Sequence, residues 1–127
     1  MLCAPTDDEA QHLATSSRMT LTLLRRGRLI PVPTPEQATE FLRREGKLGA
    51  PGEQPPNGSL PGRRGIIGSP EKVRTELEQL VAEYGAEEAI VVTITHDHAA
   101  RRRSYELLAD AFGLAPAGAS GAQSTVV

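Results

Sequence analysis

The chain has 127 residues, 39% of them apolar and 3% aromatic, with no Trp, so the large side chains that dominate most cores are scarce. A formal net charge of −2 argues neither for a nucleic-acid surface nor for a strongly acidic partner. The one cysteine, Cys3, excludes an internal disulfide, and neither zinc-like Cys/His spacing nor a membrane-length apolar run is present.

In chain order, Leu2-Cys3-Ala4 reads as the tail of a strand, stopped by Pro5. Thr6 and Glu9 then stand in capping-box spacing, with Asp7 and Asp8 at the positive end of the helix dipole. A helix is predicted from there to about Leu24 or Arg26, with Gly27 as its stop. Arg28 to Pro33 is a connector holding Leu29, Ile30 and Val32. Thr34-Pro35-Glu36-Gln37 repeats the start signal, a cap followed by proline and then Gln three residues after the cap. That second helix is short, ends near Gly46 and offers Ala38, Phe41 and Leu42 as one narrow apolar face. Residues 46–65 are crowded with Gly and Pro, which predicts a long loop acting as a lid or linker.

Gly65-Ile66-Ile67-Gly68 reads as a very short buried strand. Ser69 is a good N-cap and Pro70 suits the first helical position. Val73, Leu77, Leu80, Val81 and Tyr84 fall at helical spacing, and Gly85 ends that helix. Ala89 to Thr95 is β-branched and almost continuously apolar, the pattern of a strand buried on both faces. A last helix from about His98 to Phe112 places Ser104, Leu107, Leu108, Ala111 and Phe112 on one side. Residues 115–127 are Ala, Gly and Ser without periodicity and read as a disordered tail.

Strand–helix–strand–helix at this spacing is the βαβ unit of α/β folds. Two strands and a stump do not close a parallel sheet, and a closed barrel of about 250 residues would be roughly twice this chain. The expectation is therefore an α/β fragment, residues 1–114, that is incomplete on its own. It would need a missing N-terminal portion, a partner chain or further copies of itself. No signal peptide opens the chain, so the expected location is cytoplasmic.

The stretch Gly65 to Leu114 resembles the C-terminal end of the luciferase-like monooxygenases, flavin-dependent (βα)8-barrel oxidoreductases. The residues that carry the resemblance begin with Ile66-Ile67-Gly68-Ser69-Pro70-Glu71-Lys72-Val73 and Tyr84-Gly85-Ala86-Glu87-Glu88. Val91-Val92-Thr93, His96-Asp97 and Arg103-Ser104-Tyr105-Glu106-Leu107-Leu108-Ala109 complete it. Pro5-Thr6-Asp7-Asp8-Glu9-Ala10 is similar to the start of the unit before. The resemblance implies the C-terminal part of a (βα)8 TIM-type barrel, contributing one side of a cavity for FMN or a deazaflavin and a small organic substrate. Most of the catalytic apparatus of such a barrel lies outside this chain, so the resemblance implies no activity of the chain alone. The other expectation is a non-catalytic subunit that completes a barrel with a separately encoded half.

Ligands of such barrels sit at the C-terminal ends of the strands. Gly68 and Ser69 lie at one such end, where helix amides could bind a flavin phosphate, although turn and cap roles explain both residues fully. Thr93, Thr95 and Asp97 lie at the other end as substrate-cavity candidates, with His96 as a weak candidate for donating to a flavin or substrate oxygen. Their ordinary reading is a polar strand-to-helix junction. His96 and His98 lack a third ligand, so no metal is expected. Arg101, Arg102 and Arg103 spread around a helix rather than forming a stripe, and no nucleic-acid partner is expected. Cys3 reads as a buried strand residue rather than a nucleophile.

Overall fold

The computed structural model describes residues 1–48 and 65–114. The Gly/Pro-rich loop from residue 49 onward and the tail at 115–127 lie outside the described residues. The described elements run β1 (Leu2–Cys3), α1 (Asp7–Arg25), α2 (Pro35–Arg44), β2 (Ile67–Gly68), α3 (Pro70–Tyr84) and α4 (His98–Ala111).

Local chemistry sets most of these boundaries. The Thr6 hydroxyl accepts the Glu9 amide at 3.2 Å and starts α1. Around α2 the reciprocal box is complete: the Gln37 amide donates to Thr34 Oγ1 at 3.3 Å, and the Thr34 amide donates to Gln37 Oε1 at 3.2 Å. Asp97 caps α4 by accepting the Ala100 amide at 2.8 Å. Gly85 closes α3 in the left-handed region, at φ +60°.

β1 and β2 pair in parallel, Leu2 opposite Ile67 and Cys3 opposite Gly68. Cys3, Ile66, Val73 and Leu108 form the buried centre of the molecule, with Leu77, Leu80, Val91, Leu107 and Phe112 packed around them. On the other side α1 and α2 lie together, burying Ala10, Ala14, Ala38 and Leu42. α2 thus uses the narrow face that its sequence offers. Tyr84 departs from its expected apolar face and is 68% exposed, because α3 has already run past the centre by its last turn.

Two expectations are corrected. The run 89–95 is not a strand: its backbone joins no sheet, and Ile90 and Val92 stand 75% and 63% exposed. The fold is also not part of a (βα)8 TIM-type barrel. It is a small α-rich domain in which two strands of two residues each make the whole described sheet. The physical reason is common to both. A strand is stabilised by a ladder of backbone partners. Residues 89–95 have the composition of a central strand but meet isolated bonds, from Met1 to the Val92 carbonyl and from the Thr93 amide to Tyr105.

Candidate functional site

Gly68 and Ser69 stand where β2 turns into α3. The Ser69 amide does not point to open solvent; it donates to Asp7 Oδ1 at 2.7 Å. That bond holds the Asp7 carboxyl below its ordinary value against the opposing effect of burial, with the Ser69 side chain and then Lys72 adding to the lowering. Around the junction is an open depression of about 400 Å³ lined by Asp7, Ser69, Glu71, Lys72, Thr75 and Glu76. With three carboxylates facing one ammonium, and the amide already taken, these residues do not fit a flavin phosphate.

The second group lies along 90–98. Thr93 is 5% exposed; its amide donates to the Tyr105 hydroxyl at 3.2 Å, while its own Oγ1 is buried without a partner. The Thr95 hydroxyl donates to the Asp97 carbonyl at 2.9 Å. His96 is exposed and its Nδ1 lies 2.9 Å from the Val32 carbonyl, which ties the segment to the 28–33 connector. Asp97 is occupied as the cap of α4. The two groups are held separately: Ser69 is tied to α1, and the group along 93–97 to α4 and the connector.

Among the described residues no group of three His, Cys, Asp or Glu is placed to hold a metal ion. The arginines of α4 are partnered: Arg102 and Arg103 lie 3.9 and 3.5 Å from Glu106, and Arg101 lies 3.0 Å from His98 Nδ1. Cys3 is a free, buried thiol, pushed up by desolvation and so kept from the thiolate form. Among the described residues no helix is long and apolar enough to cross a membrane.

Three residues of consequence were not singled out from the sequence as partners of distant backbone. Ser104 is fully buried and its Oγ accepts the Cys3 amide at 2.9 Å. Tyr105 accepts the Thr93 amide, and Asp7 accepts that of Ser69. In each case a helix side chain supplies an acceptor to turn or extended backbone. A Ser-Tyr pair on an apolar helix face is the signal that could have found the first two.

The run 89–95 adds the most distinctive surface. From residue 90 on, its odd positions turn inward, Thr93 buried and Val91 and Thr95 half-buried, while its even positions turn outward. Ile90, Val92 and Ile94 are 75%, 63% and 37% exposed, and Leu29 of the connector is 84% exposed.

No family model matches the chain. It is 35% identical to the uncharacterized protein YvbT of Bacillus subtilis (strain 168) over 111 residues, covering 87% of this chain and 31% of YvbT. It is 32% identical to the uncharacterized protein YceB of the same organism over 114 residues, covering 88% of this chain and 32% of YceB. The crystal structure of apo-MsnO8 is similar at a TM-score of 0.71 and 35% identity, over 91% of this chain and 33% of that one. The chain spans about a third of the length of the curated relatives it matches. These findings correct the family expectation. The described fold is not a luciferase-like barrel, and the relatives' names carry no chemistry. The flavin and monooxygenase expectations rested on that resemblance and lose their support with it.

Proposed function

We propose that this chain is a non-catalytic α-rich unit whose work is to pack against further polypeptide through the outward face of 90–94. The observation that carries the reading is the row Ile90, Val92 and Ile94, bare on a segment whose opposite face holds buried Thr93 and half-buried Val91 and Thr95. β-branched side chains on both faces of one segment suit a strand covered on both sides, and here one cover is absent. The occupant is polypeptide equivalent to the two thirds of YvbT and YceB that this chain does not match. Such a partner would supply strand backbone to 89–95 and an apolar layer over Val92.

The test is co-expression with the unmatched part of YvbT, followed by size-exclusion chromatography and hydrogen exchange. A one-to-one complex with new protection confined to 89–95, lost when Ile90 and Val92 are both changed to Ser, is the expected result. A monomer that ignores the added polypeptide overturns the reading, as does a homodimer buried on the same face. The free thiol of Cys3 and the absence of a membrane-length described helix support a cytoplasmic setting, which fractionation of tagged protein would check.

A further inference from the structure

The start of α3 lacks what the start of α2 has. At α2 the Gln37 side chain, three residues after the cap, reaches back to the Thr34 amide. At α3 the corresponding position is Lys72, an ammonium that can only donate. The Ser69 hydroxyl makes no cap bond either, and Pro70 has no amide to satisfy. The acceptor comes instead from Asp7, 62 residues earlier, in the first turn of α1. Gly68 makes room for it, since an added Cβ there would lie 2.8 Å from Asp7 Oδ1 and 2.7 Å from Lys72 Cδ.

We infer that Asp7 completes the capping box of α3 from another helix, and that its carboxylate is a pH-sensitive clasp holding α1 to the β2–α3 turn. This inference does not rest on the proposed docking face. The charged groups around the clasp are Asp8 and Glu9 on α1, and Glu71, Lys72 and Glu76 on α3. Lys72 stabilises the ionised clasp, and burial works against it. The direction of the pH response follows from the ionised form being the better acceptor. The clasp is fully made above the ordinary Asp value of 3.8 and opens as pH falls through the lower value of the folded chain.

The experiment is a titration of the whole chain followed by NMR at the Ser69 amide. Its proton shift is expected to follow a carboxyl midpoint below 3.8. Asp7→Ala removes that response and speeds Ser69 amide exchange roughly tenfold, the equivalent of one net hydrogen bond. Adding Lys72→Gln to Asp7→Ala restores the box locally, so protection returns without the pH response. A Ser69 amide that does not titrate in the unsubstituted chain, or that follows an ordinary carboxyl midpoint, overturns the inference even if the Ala variant does not fold. Unchanged Ser69 exchange in a folded Asp7→Ala chain overturns it too.

Discussion

Ser104 sits on the inward side of α4, fully enclosed, with its hydroxyl on the amide of Cys3. The Cys3 amide is therefore met by a side chain, where a sheet would offer a carbonyl. Ser104→Ala would keep the packing nearly unchanged and leave a buried N–H with nothing to bind. The expected loss is about 1–3 kcal/mol of unfolding free energy, read as a lower urea midpoint at unchanged slope. Residues that act on their own neighbours were legible in the sequence. Thr6, Thr34 and Asp97 cap helices whose amides lie three residues away, so spacing alone identifies them. Asp7 and Ser104 act across the chain, and no local pattern distinguishes an acid that favours its own helix dipole from one that serves another helix.

Among the elements, α3 shows how an end is fixed. Gly85 stands at φ +60°, and an added Cβ would meet nothing within 4 Å. Only backbone strain opposes a side chain there, so Gly85→Ala is expected to cost about 1–2 kcal/mol in thermal or denaturant unfolding, with the fold unchanged. Helix limits were legible to within a residue or two because a helix satisfies its own backbone. The segment 89–95 was misread for the converse reason. Its β-branched composition is that of a strand, but a strand exists only where a neighbour presents carbonyls and amides in register. Here Met1 offers its amino group to the Val92 carbonyl and α4 offers the Tyr105 hydroxyl to the Thr93 amide, isolated bonds in place of a ladder.

At the scale of the molecule, two packed groups meet at the short sheet. α1 and α2 close on each other through small residues, and α3 and α4 enclose Cys3, Val73 and Leu108. α1 also lies against β2, and the Asp7 bond to Ser69 joins the two groups at one end. The alternation of strand-like and helix-like segments was legible. The barrel was not a sound extension of it, because alternation specifies the repeating unit and is silent on how many units close and around what. The depression beside Ser69 was likewise unreadable as carboxylate-rich: Glu71 and Glu76 are close in sequence, but Asp7 reaches it only through the fold.

The bare row at 90, 92 and 94 has a further consequence, in the chemistry of self-association. Residues 89–95 hold no charge and no proline, and all but Ala89 are β-branched, the composition of segments that stack into cross-β fibrils. In this chain the segment is in no helix or sheet and one side of it faces water, so little unfolding stands between the native state and a nucleus. The concentrated chain, held alone, is expected to show a lag followed by growth of thioflavin fluorescence. Val92→Lys is expected to abolish that growth by placing an ammonium in every layer of the stack. A polypeptide covering this face would therefore also keep the chain out of nucleated polymerisation.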